Sequence, residues 1–405
     1  MTRRRDTIAL AAGSAVSGLL AYVVFALTTR GLGAEAAAPV SVLWSYWALA
    51  GAALTFPVQH WITRTITAHG DGAVRRALPR LAVATLAITL GTGALAAVAR
   101  EPLFERDDLW FPLLVASITV GSAVTGVTRG VLAARHRFAE VGASLVVENG
   151  IRCVAAAALL AGGSESPVAY GLALVAGHLM VLLWPSAFRL AAATTGVPAT
   201  SARTFLAGAG AGQLLHQVVL TGGPVALALA SGTQREVTAL FAALSLYRAP
   251  FTLALGVVPQ LTARVTTLVV AGRHEAVRRL TRTVALSSAA ATVAAGAGAA
   301  LLGPPLIELV FGGGVRIAPE PSGWVAAGSV LAVGNLVLMV VALAEERAAV
   351  VARVWAGAGA LALVLLLVLV TLEPLPRTVA AFVAAEAVAF VALLVTARRG
   401  VTGTA

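Results

Sequence analysis

HGDGAVRRALPR at residues 69–80 and AGRHEAVRRLTR at residues 271–282 contain the same tetrapeptide, Ala73 to Arg76 and Ala276 to Arg279, each followed by further arginine. The chain around them is strongly apolar. Of 405 residues 59% are hydrophobic and only 12% charged, and the mean hydropathy is +0.90. A soluble domain carries about 25% charged residues, so the composition is that of a polytopic membrane protein. The net charge of +11 comes entirely from arginine among the 29 basic residues. These arginines are dispersed between apolar runs of membrane length, a pattern of basic loops and not of a nucleic-acid footprint. The single cysteine, Cys153, excludes an internal disulfide framework and is expected to be an inert core residue.

A helix needs about 20 mostly apolar residues to cross the hydrocarbon core. Twelve such segments are expected, at about 7–29, 39–61, 79–99, 110–133, 140–162, 167–188, 204–230, 237–267, 281–302, 322–343, 349–371 and 378–397. The N-terminal apolar run is longer than the core of a signal peptide, and an uncleaved first span is expected. The fold class is therefore all-α. If the N-terminus is cytoplasmic, 21 of the 29 basic residues fall on cytoplasmic ends and loops. Among them are Arg64, Arg75, Arg76, Arg80, Arg129, Arg278, Arg279 and Arg282. Six fall outside: Arg30, Arg100, Arg106, Arg235, Arg316 and Arg377. This asymmetry places both termini inside, as an even number of spans also requires.

With that topology each AVRR word lies in a cytoplasmic link, after the second span and again after the eighth. Pro57 and Gln59 precede the first copy, Pro259 and Gln260 the second, with Arg64 and Arg264 a few residues on. A small-residue span and a proline-led outer link follow each copy, EPLFERDD at 101–108 and PPLIELVFGGG at 304–314. The expected organisation is two parallel six-span halves, residues 1–190 and 204–405, joined by a cytoplasmic linker at 191–203. Two such halves around a site near the midplane are the usual geometry of alternating access.

Two stretches bear a family resemblance. LTTRGLGAEAAAPVSVLWSYWAL (27–49) resembles the end of the first span in the polysaccharide-flippase branch of the multidrug/oligosaccharidyl-lipid/polysaccharide exporter superfamily. The matching residues are Arg30, Leu32, Gly33, Glu35 and the Trp44/Tyr46/Trp47 cluster. TRGVLAARHRFAEVGASLVVENGIRCV (128–154) is similar to that family's link between the fourth and fifth spans. The chain departs from the family where Glu35 is followed by AAAPV instead of Tyr-Gly. Drug antiporters of the superfamily carry an acidic residue in the first span, and residues 8–29 contain none. The resemblance implies translocation of a lipid-linked saccharide, contributing to cell-surface polysaccharide biosynthesis in a bacterial cytoplasmic membrane. A drug antiporter of the same superfamily and a non-transporting scaffold for envelope assembly are the alternatives.

Ionisable groups inside spans are costly and are functional candidates by default. Glu148 and Arg152 stand four apart on one helix face, as a structural ion pair or as a paired switch in a cavity wall. Tyr247 and Arg248 precede Pro250, where a kink is expected. Arg248 suits either an anionic ligand or a partner from the other half. Gln59 and Gln213 read as substrate contacts or as interhelical hydrogen-bonding groups, and Asn335 as interhelical glue. His60 and His216 are candidates for proton or cation coupling. So is Glu386, unless a residue such as Arg353 pairs with it. Arg30 and Arg64 either snorkel or line a vestibule. Arginine binds phosphate oxygens through a planar fork, and Trp44 and Trp47 suit sugar stacking or interfacial anchoring. With no lysine there is no P-loop, and no HExxH or CxxC motif occurs. No enzyme activity, cofactor, metal or nucleic-acid partner is expected; the expected partners are an anionic lipid-linked saccharide, membrane lipids and a coupling ion. In a Cys153→Ser background, a cysteine at Asp107 should label with a membrane-impermeant maleimide in intact cells, and one at Arg75 should not. The opposite pattern would invert the topology.

Overall fold

The computed structural model describes residues 2–191, 211–255, 258–312, 314–345 and 347–400. Among them there is no strand, since a backbone in hydrocarbon must satisfy its own hydrogen bonds and an open sheet cannot. Contacts divide the chain into two compact units, Met1–Ala211 and Gly212–Ala405. The expected linker, 191–203, falls outside the described residues except for Ala191.

The first unit runs α1 (Thr2–Ala36), α2 (Ala38–Ala50), a wide π turn (Gly51–Thr55), α3 (Phe56–His69), α4 (Asp71–Val98), the short α5 (Arg100–Phe104), α6 (Trp110–Ala134), α7 (Phe138–Ala161) and α8 (Pro167–Ala176). Beyond α8 the chain tightens into 3-10 turns at Gly177–Leu183 and Pro185–Phe188. The second runs α9 (Ala211–Thr221), α10 (Gly223–Leu229), α11 (Gln234–Tyr247), α12 (Ala249–Leu255), α13 (Val258–Val270), α14 (His274–Phe311), α15 (Pro319–Ala344), α16 (Ala348–Val368) and α17 (Pro374–Gly400).

Nine helices among the described residues are long and apolar enough to cross a membrane. The other three expected spans are present as broken helices. The sixth ends in 3-10 turns, and the seventh is interrupted at Gly222 ahead of Pro224. The eighth stops at Tyr247, with Arg248 as its C-cap, and restarts as α12 with Pro250 in its first turn. Proline lacks the N–H that a continuous helix would use there, so the expected kink at Pro250 is met.

Two expectations about links are corrected. The AVRR words lie in helix, in the opening turns of α4 and α14. Each turn before them is made by a glycine at positive φ, Gly70 (φ 73) and Gly272 (φ 64), a conformation that costs other residues energy. The expected outer link at 304–314 is helical through Phe311, despite Pro304 and Pro305.

The two copies perform the same packing job. Val74 is completely buried beside Val58, Ile62, Val127 and Val131, and Val277 is buried beside Val265, Val340 and Val341. The following arginines, Arg75, Arg76, Arg278 and Arg279, are exposed. The word thus drives a valine between the second and fourth helices of its unit and turns its arginines outward.

In each unit the fourth span is the axle. The apolar windows of α6 and α15 are 67% and 83% buried, against 17% for α4 and for α14. Gly126 and Gly130, four apart on α6, let the second span approach closely. A Cβ on Gly126 would lie 2.7 Å from the Thr55 carbonyl oxygen, and one on Gly130 would lie 2.9 Å from that of Gln59, the small-xxx-small packing of membrane helices. Val277→Ala should cost about 2 kcal/mol from lost packing and lower the melting temperature in detergent. Arg278→Ala with Arg279→Ala, on the exposed face of the same helix, should leave it within a degree or two.

Candidate functional site

The polar centre of the first unit is built on α7, where Glu148, Asn149 and Arg152 share a face and are buried. Glu148 and Arg152 form the expected pair, with Arg152 Nη2 donating to Glu148 Oε1 at 2.7 Å. A second guanidinium takes the other carboxylate oxygen. Arg129 Nη2 donates to Glu148 Oε2 at 2.5 Å, and Arg129 Nε donates to Ser144 Oγ at 3.0 Å. Arg129 is 5% exposed. Counted in the sequence at a cytoplasmic helix end, it is instead a buried partner in this centre.

The network fans out from there. Arg152 also donates through Nη1 to Asn149 Oδ1 at 2.8 Å and through Nε to the Leu174 carbonyl of α8 at 2.8 Å. Its guanidinium carbon lies 4.3 Å from the Trp47 ring centroid, in cation–π geometry. Trp47 thus packs on a protein cation, and Trp44 is buried in edge contact with Phe25 and Trp47. Gly177 makes room for the guanidinium, since a Cβ there would sit 2.4 Å from Arg152 Nε. Asn149 Nδ2 donates to Ser17 Oγ at 2.8 Å and to the Ser17 carbonyl at 3.0 Å, tying in α1. His178 Nδ1 lies 3.2 Å from Thr125 Oγ1 and 3.9 Å from Glu148 Oε1. Cys153, beside the centre on α7, is half-buried and donates to the Leu20 carbonyl of α1. Six helical segments join in this network, and two guanidiniums against one carboxylate leave excess positive charge.

The second unit holds a different arrangement. Glu386 is fully buried, and Asn335 Nδ2 donates to its Oε2 at 2.7 Å and to its backbone carbonyl at 3.0 Å. Asn335 is thus the interhelical group expected, and it, rather than Arg353, is the partner of Glu386. Arg353 is exposed and donates to the Ala349 carbonyl of its own helix. Glu386 Oε1, Asn335 Oδ1 and both His216 ring nitrogens are buried with no hydrogen-bond partner among the described residues. His216 stacks on Trp355 at 4.2 Å between centroids and meets Phe251 edge-on. Arg248 lies over the ring of Phe382 at 5.6 Å, and Phe382 stands one turn before Glu386 on α17. The Tyr247 hydroxyl is bonded to Ser322 Oγ at 2.6 Å.

Of the remaining candidates, Gln59 is half-buried, and Arg30, His60 and Arg64 are exposed. The Gln213 side chain lies outside the described residues. The structure thus brings Glu148 to Arg152, and Arg248 to the Phe382 ring on the helix that carries Glu386. Arg129 and His178 were missed. The available signal was that both fall inside expected spans, where any ionisable group needs a partner.

The sequence matches no family model. A protein of Mycobacterium bovis and one of Mycobacterium tuberculosis, both uncharacterized, are each 30% identical to the chain over 334 residues, covering 78% of this chain and 75% of theirs. The chain belongs to their family. Among solved structures it is similar to an inward-facing multidrug resistance MATE family transporter of the MOP superfamily. That match has TM-score 0.71 and 13% identity, over 96% of each chain. It is also similar to the lipid II flippase MurJ in an inward closed conformation, with TM-score 0.71 and 11% identity, over 97% of this chain and 87% of that one. The chain thus has the fold of these MOP superfamily transporters. Glu148→Gln should destabilise the protein by about 3–5 kcal/mol, because it leaves two buried guanidiniums uncompensated. Arg152→Lys should not restore stability, since an ammonium cannot span Glu148, Asn149 and Leu174 at once; thermal unfolding in detergent measures both.

Proposed function

We propose that the protein translocates an anionic lipid-linked saccharide across the cytoplasmic membrane by alternating access, with both termini cytoplasmic, and so contributes to cell-surface polysaccharide. The observation that carries this reading is the charge of the first unit's polar centre. Its one carboxylate, Glu148, is already claimed by Arg129 and Arg152, which leaves none there for a cationic drug and favours an anion. The fold supports the reading, because a lipid II flippase and multidrug transporters are built on it.

Arg248, beside a break in its helix, is the residue we assign to the substrate's phosphate, which a guanidinium grips through paired hydrogen bonds at any cellular pH. Arg30 and Arg64, both exposed, are secondary contacts along the route. Arg152 holds the first unit together and sets its charge without touching substrate. Glu386 and His216 are the groups we assign to a coupling ion.

Deletion in the native host should raise lipid-linked glycan on the cytoplasmic leaflet and lower surface polysaccharide. Wild type should restore both, and Arg248→Ala, present at wild-type level in the membrane, should not. Unchanged lipid-linked glycan and surface polysaccharide on deletion would sink the proposal. A change confined to drug tolerance would favour an antiporter instead.

A further inference from the structure

The duplication extends beyond AVRR to a pair of tyrosines. LWSYWALA (43–50) aligns with LSLYRAPF (244–251), setting Leu43, Tyr46 and Ala48 against Leu244, Tyr247 and Ala249. In the first unit the Tyr46 hydroxyl lies 2.5 Å from Thr119 Oγ1 of α6. Thr119 spends its own proton on the Val115 carbonyl, so Tyr46 is the donor. The same Thr119 oxygen lies 3.3 Å from Thr92 Oγ1 of α4. In the second unit the Tyr247 hydroxyl lies 2.6 Å from Ser322 Oγ of α15. Ser322 donates to the Ala299 carbonyl of α14 at 2.9 Å, so Tyr247 is again the donor. Thr119 and Ser322 are both completely buried. Tyr247 thus ties the second span of its unit to a hydroxyl that the fourth span donates to the third; Tyr46 ties its span to the fourth, since Thr92 gives its own proton to the Ile88 carbonyl.

In both units the tyrosine stands just before a break in its helix. The π turn at Gly51–Thr55 follows Tyr46, and the chain after Tyr247 breaks at Arg248 and restarts at Ala249. Such turns are where membrane helices bend. Past the break, each span is gripped by the valine of AVRR, through Ile62 in one unit and Val265 in the other. Each span therefore has two separately anchored segments, the N-terminal one held by a buried packing face to which the tyrosine adds its hydrogen bond, the C-terminal one by apolar packing on the valine. The two anchors respond differently to water. A tyrosine hydroxyl released from its partner finds equivalent bonds in water, whereas in a dry interior it cannot be left unpaired.

We infer that Tyr46 and Tyr247 are matched latches. Each holds the N-terminal segment of its span against the fourth span of its own unit. Its release, coupled to the entry of water, lets that segment swing about the adjoining break while the AVRR valine keeps the C-terminal segment in place. They are positioning residues, acting through the helix they hold.

The test reads local opening and is independent of any substrate. In purified protein in detergent, with Cys153→Ser, a reporter cysteine replaces either Ser45 (1% exposed) or Ala243 (0% exposed). Its reaction with a water-soluble maleimide is then timed. Tyr46→Phe should speed labelling at 45 about three- to fifteen-fold, the range of one interhelical hydrogen bond in a membrane protein, and leave labelling at 243 unchanged. Tyr247→Phe should do the reverse, with melting temperatures lowered by no more than about 4 °C. Thr119→Val and Ser322→Ala remove the same bonds from the other side and should reproduce each result, and they carry the test if a phenylalanine variant fails to fold. Labelling indifferent to loss of the hydroxyl, or both reporters accelerating with either substitution, would overturn the assignment.

Discussion

Glu148 binds two guanidiniums with one carboxylate, and the packing of the first unit depends on it. In hydrocarbon an isolated charge is costly, and its partners must come from the protein. Arg129 comes from α6 and Arg152 from α7 itself; Leu174 and Trp47, from two further helices, complete the shell of Arg152. Helices that meet around such a centre cannot slide or rotate without exposing a charge, so the ion pairs set depth and rotation where apolar packing alone is permissive. Lipid tails are as apolar as leucine and provide little drive of their own to hold one register over another.

The second unit meets the same constraint with fewer bonds. Its carboxylate, Glu386, is held by one amide, and its histidine by aromatic stacking. The two units share a plan of turns, valine anchors and tyrosine bonds, and they differ in the polar groups placed inside that plan. What holds the helices together is alike in the two units, and the polar centres differ.

The AVRR word shows how local and tertiary information combine. Its alternation of one valine with two arginines reads in sequence as a basic loop, because arginine dominates the local charge. In the structure it is a helix start. Gly70 and Gly272 make the turns, Asp71 and Glu275 stand in the first turns where the helix dipole favours an acid, and the valine faces the core. A loop and an amphipathic first turn share the same composition. What separates them is whether a groove exists for the valine, and helices distant in sequence form that groove.

The sequence by itself determined the membrane class, the helical backbone, the approximate places of the spans and the duplication. Each of these follows from local composition: a run of about 20 apolar residues must span as a helix whatever surrounds it, and a repeat is visible in one dimension. The Glu148–Arg152 pair was legible for the same reason, since four residues along a helix is one turn. Only the tertiary structure decided that Arg129 joins that pair, that Asn335 and not Arg353 meets Glu386, and that Trp47 faces a guanidinium. Those partners come from different spans, and in a chain this apolar neither the depth nor the rotation of a span is encoded locally. They are set when the buried polar groups find one another.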